Sequence, residues 1–145
     1  MIRFSRFYLN EFVIDMPTPK ETQGVLRSKM PQIATKDYEA YMAHMRKVGI
    51  NVKRTKLKVS KLKALQKQFS TDGIIRSMSK GPEKNPKPIL VSRDGFVVDG
   101  NHRWLAARNT KQTDIDALQF DATKDEVMAA TLAFPKVTFK KHGQS

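Results

Sequence analysis

The stretch Pro88 to Asn109, P-I-L-V-S-R-D-G-F-V-V-D-G-N-H-R-W-L-A-A-R-N, constrains this chain more than any other. Ile89, Leu90 and Val91 make a short apolar run. Asp94-Gly95 suits a type I′ turn, in which both central residues need a positive φ. Phe96, Val97 and Val98 read as the return strand. Asp99-Gly100 breaks that strand, and Asn101 to Asn109 follows with helical spacing at Trp104, Leu105 and Arg108. The order is therefore strand, turn, strand, helix.

Chemistry collects at the last junction. The start of a helix carries N–H groups outside the ladder and about half a positive charge, so it suits an anion. Gly100 brings no side chain to obstruct a phosphate. His102 and Arg103 put an imidazole and a fixed guanidinium into the first turn, and arginine can hold a phosphate with two bonds. A phosphate cradle at Gly100, Asn101, His102 and Arg103 is one reading; a solvated helix start with one surface arginine is the other. Asp99 could orient His102 or take a divalent ion. Trp104 is expected to pack the helix onto the sheet.

The run D-G-N-H-R-W-L-A-A after a short hairpin resembles the ParB/sulfiredoxin superfamily, whose members carry G-x-H-R or G-x-R-R followed by small residues. The hairpin K-P-I-L-V-S-R-D-G-F-V-V-D-G fits the same pattern. The upstream K-L-K-A-L-Q-K-Q-F-S stands where many small members carry a P-T-Q-x-E-like box. The resemblance covers Val52 to Phe120. It implies an α+β fold, a small mixed sheet with surrounding helices, and a phosphate site at the Gly–helix junction. It also implies several activities: nucleotide-binding partition proteins, ATP-dependent sulfinic acid reductases, free-serine kinases and ParB-like nucleases. The reductases use a cysteine where Asn101 stands, and this chain has no cysteine, which excludes that chemistry. Gln66 keeps the glutamine of the box, while Gln68 replaces its acid. The cofactor implied for a phosphotransferase is a nucleoside triphosphate with magnesium.

Charge narrows the partners. There are 27 Lys plus Arg against 14 Asp plus Glu, for a net charge of +13. Such a surplus favours polyanions through counterion release. Nine basic residues lie between Arg46 and Lys67 with no acid among them. Within that run Lys53, Arg54, Lys56, Lys58, Lys61 and Lys63 form the expected nucleic-acid footprint. Aromatic residues are not interleaved with them, which argues for backbone contact rather than base stacking. His44, His102 and His142 show no metal-ligand spacing, so no metal site is expected. No apolar run is long enough to span a membrane.

The rest of the chain divides into four parts. Residues 1–12 read as a short amphipathic helix, with Phe4, Phe7, Tyr8 and Phe12 at helical intervals. This basic–aromatic segment ending in Leu9-Asn10-Glu11 also resembles the capsid-targeting peptide of tailed phages of the T-even kind, cut after the Glu. That resemblance implies a protein of the host cytoplasm that meets the phage capsid during assembly, is packaged inside the virion head and travels with the DNA. Residues 13–34 read as a Pro-rich arm or linker, in which Arg27 and Lys29 face water or the cleft. Residues 35–136 form the domain, and 137–145 a basic tail.

Within the domain, Thr35 to Val48 is expected as a helix capped by Thr35, with Tyr38, Tyr41, Met42, Met45 and Val48 inward. Ile50 to Val59 reads as a strand. Ser60 to Phe69 reads as a helix, on which Gln66 and Gln68 point about 200° apart and Gln66 faces the cradle. Thr71 to Ser79 is a further helix. Lys80 to Lys87 forms a lid or linker. A strand from Ile115 to Phe120 precedes a last helix opened by a Thr123–Glu126 capping box.

Two function classes stand. One is an enzyme on phosphates, either a ParB-like nuclease or a nucleotide-dependent phosphotransferase, with His102 and Gln66 as catalytic candidates. The other is a basic DNA-binding protein without catalysis.

Overall fold

The computed structural model describes residues 5–9, 12–17, 22–25, 29–66, 69, 71–80 and 87–139. Strands β1 (Ser5–Leu9) and β2 (Phe12–Met16) are followed by β3 (Thr22–Val25), β4 (Pro31–Gln32) and helix α1 (Tyr38–Lys47). Next come β5 (Val52–Lys58), β6 (Lys63–Gln66), α2 (Thr71–Lys80), β7 (Ile89–Val91), β8 (Phe96–Asp99) and α3 (Asn101–Asn109). Strand β9 (Asp114–Phe120), α4 (Lys124–Leu132) and β10 (Thr138–Phe139) complete the order.

Six strands form one mixed sheet in the order β3-β6-β8-β7-β9-β5. Strands β3, β6 and β8 run parallel; β7 is antiparallel to β8 and parallel to β9, and β5 closes the edge antiparallel to β9. Both faces are covered. Ile74 and Ile75 of α2 and Trp104 and Leu105 of α3 pack on one face with Val97 and Ala117. Tyr41 and Met45 of α1 and Val127 of α4 pack on the other with Phe96, Val98 and Phe120. Alternation along β8 sends Val97 to the first core and Phe96 and Val98 to the second. The expected small mixed sheet with surrounding helices is the architecture found.

Several local expectations change. A β1–β2 hairpin, with register from Ser5↔Met16 to Leu9↔Phe12, stands where residues 1–12 were expected as an amphipathic helix. Aromatic and β-branched residues suit a strand once a partner exists, and most of that partner, Val13 to Met16, lies beyond the segment 1–12. Thr35 does not cap α1: a short 3-10 turn, Thr35–Asp37, leads into it, and Asp37 makes no side-chain cap bond. Val48 is exposed rather than inward. Ser60 to Phe69 is not a helix either. Val59–Lys61 is a 3-10 turn, and Lys63–Gln66 is a strand between two parallel neighbours. Such a strand buries both faces, here Ala64 on one and Leu65 on the other, and so hides its alternation.

The β7–β8 turn also differs from expectation. Gly95 has φ 86°, whereas Lys111 is the one non-glycine with positive φ among the described residues. Asp94 is therefore not in the left-handed region that a type I′ turn needs. Gly95 N–H donates to Ser92 O, and Ser92 N–H donates to Phe96 O, which is a three-residue loop with a left-handed glycine. Asp94 Oδ1 accepts the Lys124 N–H at 2.9 Å and so ties this turn to the start of α4. The Thr123–Glu126 capping box is present, and its bonds hold the Glu126 carboxyl below its ordinary range.

Trp104 is 1% exposed, and its Nε1–H donates to Val59 O at 3.1 Å. Trp104→Ala removes that bond and leaves a cavity between α3 and the sheet. It should cost about 3–5 kcal/mol, read as a lower denaturant midpoint with an unchanged slope.

Candidate phosphate site at the start of helix α3

Strand β8 ends at Asp99, the chain turns through Gly100, and α3 begins. Gly100 has φ 94°, a conformation that strains any residue with a Cβ. Its surroundings are equally restrictive. A Cβ there would lie 2.5 Å from Arg103 Nη2 and 2.7 Å from Ile89 Cγ2. The space that glycine leaves open is thus filled by the arginine three residues on, not held open for a ligand.

Arg103 is fixed from several sides. Its Nη2 donates to Pro88 O at 3.1 Å. Its Nε–H is buried and donates to nothing. Beside it the Tyr38 hydroxyl donates to Asp99 Oδ2 at 3.3 Å. Burial pushes the Tyr38 phenol far above its ordinary range, and the Asp99 charge adds to this while the Arg103 guanidinium opposes it. The phenol therefore stays protonated and keeps donating to Asp99. Asp99 itself is 7% exposed. Lys87 extends the cationic side: its Nζ lies 4.7 Å from the Tyr38 ring centre and donates to Ile33 O.

The other residues of the expected cradle are placed as follows. Asn101 is 5% exposed, at the first helical position. His102 is half-buried, and its ring lies against α2, where a Cβ on Gly73 would come within 3.1 Å of it. The first ladder bond of α3 runs from Trp104 N–H to Gly100 O, so the N–H groups of Asn101, His102 and Arg103 stand outside the ladder. Gln66 ends strand β6. Lys63↔Phe96 and Ala64↔Val97 pair in parallel, so β6 and β8 end at the same end of the sheet. Strand ends, not a helix face, put Gln66 at this end of the sheet. Gln68 lies outside the described residues, as does Glu11, the expected cleavage point.

The six expected nucleic-acid cations fall into two places. Lys53, Arg54, Lys56 and Lys58 are exposed on the edge strand β5. Lys61 sits in the 3-10 turn, and Lys63 opens β6, four strands from β5 in the sheet, or about 19 Å at ordinary strand spacing. Lys63 lies against the Phe96 ring, as does Lys124 of α4. Arg54 pairs with Asp116 and Lys58 with Asp114, both on β9. The unbroken basic run in the sequence is thus neither one patch nor without counter-charge.

Tyr38, Lys87 and Pro88 are the site residues that sequence reasoning missed. Tyr38 lies 61 positions from Asp99 and reads only as part of a helix stripe. A groove of about 460 Å³ adjoins the site, running along α3 from Arg103 to Thr110 over Ala106 and Ala107. Among the described residues no group of three His, Asp or Glu could hold a metal ion, and no helix is long and apolar enough to cross a membrane.

No family model matches the sequence, and no curated protein does. Solved structures similar to part of it include two ParB N-domains. A Pnob8-like ParB-N domain is 13% identical, with a TM-score of 0.47 over 57% of this chain and 35% of that one. A pNOB8-like ParB N-domain is 17% identical, with a TM-score of 0.44 over 53% of this chain and 30% of that one. The matched part spans about a third of each of those chains.

Gly100→Ala should destabilise the fold by about 2 kcal/mol or more, combining left-handed strain with displacement of Arg103 and Ile89. Equilibrium unfolding measures this; an alanine variant as stable as the parent would show that the junction relaxes without cost.

Proposed function

We propose that this chain is a ParB-like domain that binds a phosphate group, of a nucleotide or of DNA, at the start of α3. The observation that carries the reading is the state of Arg103. It is a guanidinium pinned beside the first turn of a helix, with one buried N–H donor unused. Buried donors are rarely left unused without a reason. The backbone N–H groups of Asn101, His102 and Arg103 and the positive end of α3 supply the rest of an anion site. The G-N-H-R-W motif that resembles the ParB/sulfiredoxin superfamily occupies this junction.

In this reading Arg103 and the helix start hold phosphate oxygens, and Tyr38 and Asp99 keep Arg103 in place. The donors present fit a nucleoside triphosphate through its phosphates. A magnesium ion would come with those phosphates, because Asp99 already accepts from Tyr38. Catalysis assigns His102 as acid–base, and its ring must then leave the face of α2. The net charge of +13 favours DNA as the source of the phosphate, and holds for a protein that binds without cleaving.

Calorimetry against ATP, CTP, ADP, inorganic phosphate and a short duplex DNA, each with and without magnesium, tests the site. One nucleotide or phosphate should bind, and Arg103→Ala should weaken that binding by more than about tenfold, the loss of one charge-assisted contact. Where a nucleotide supplies the phosphate, duplex DNA affinity and its salt slope should stay within about twofold, since bulk charge is nearly unchanged; where DNA supplies it, Arg103→Ala should weaken duplex binding as well. Equal binding of every phosphate ligand by parent and variant would overturn the assignment.

A further inference from the structure

Strand β5 forms one edge of the six-stranded sheet, and among the described residues nothing pairs with its outer side. It is an unusual edge. It runs seven residues, Val52 to Lys58, with an unbroken register against β9 and no proline. Such an edge exposes a row of backbone donors and acceptors and invites another strand. Lys53, Arg54, Lys56 and Lys58 stand exposed along it. Like charges repel a second copy of the same edge, so this row blocks self-pairing.

The same row selects an opposite partner, and strand β9 shows its pattern. Asp114 and Asp116 alternate with Ile115 and Ala117, and the two carboxylates pair with Lys58 and Arg54 across the strands. Both pairs are exposed, and the Asp116 contact raises the Arg54 guanidinium further above its ordinary range. Lys53 and Lys56 remain in excess of these two acids. Each also borders a groove: about 460 Å³ at Lys56 and about 530 Å³ at Lys53, the latter shared with Val52, Gln119 and Phe120. Strand addition takes its affinity from main-chain bonds and its specificity from pockets for alternate side chains.

We propose that the free edge of β5 binds an extended acidic peptide of a partner protein by strand addition, with carboxylates alternating with apolar residues as they do in Asp114-Ile115-Asp116. Arg54, Lys56 and Lys58 share one face of β5, so the carboxylates of the peptide meet on that face the same cations that reach toward β9. The peptide lies about 4.8 Å from β5 and becomes the seventh strand of the sheet.

The test uses a fluorescein-labelled seven-residue peptide of alternating aspartate and isoleucine, titrated into the full chain by anisotropy, with amide NMR shifts as the second readout. Binding should move the amides of residues 52–58. Methylating every second amide nitrogen of the peptide should weaken binding by more than about tenfold, because it deletes ladder donors and keeps every charge. The K53E/K56E variant should weaken it by a similar factor. Equal binding of the methylated peptide would overturn the proposal, since charge alone would then account for the contact. So would failure of the peptide to bind while duplex DNA shifts residues 52–58, which would make the row a nucleic-acid surface.

Discussion

The contact between Arg103 and the backbone of Gly100 sets the geometry at the centre of this molecule. The chain leaves β8 through a left-handed residue, and the side chain from the first turn of α3 folds back into the space where a Cβ would stand. Ile89 closes the same space from β7, so the hairpin, the junction and the helix lock one another. Trp104, the next residue, then drives into the core and donates to Val59 O, which anchors α3 across the chain that connects β5 to β6. A larger residue at position 100 would disturb all three elements together.

That lock also gives the site its electrostatics. Arg103 is held by Pro88 O, and Tyr38 and Asp99 stand beside it in a part-buried pair. Polar groups fixed in this way cost little to reorganise on binding, which is the general advantage of a preformed site. His102 takes the other side of the helix and packs on Gly73 of α2. The two residues that look alike in the motif therefore do different work. One is a cation held by a hydrogen bond to Pro88 O, and the other is a half-buried ring packed between two helices.

Much of this was legible in the residues. The hairpin, the Gly100 break, α3, β5, β9 and the Thr123–Glu126 capping box all follow from local patterns with a physical cause. The failures have physical causes as well. Lys63–Gln66 is a strand buried on both faces, and its Leu62, Leu65 and Phe69 spacing imitates a helix. The β1–β2 pairing depends on a second segment. Tyr38 reaches Asp99 only through the packing of α1 over the sheet, which no spacing within one segment encodes. The cation run misleads for the same reason: Asp114 and Asp116, roughly sixty positions downstream in the chain, neutralise part of it across a strand pair.

The most direct measurement is an amide NMR titration of the full chain with inorganic pyrophosphate at constant ionic strength, beside the same titration of Arg103→Ala. A phosphate held at the helix start moves the amides of Asn101, His102, Arg103 and Trp104 in a saturable way, and these shifts disappear in the variant. Pyrophosphate that leaves those four amides in place, or that moves them equally in both proteins, would contradict the central claim.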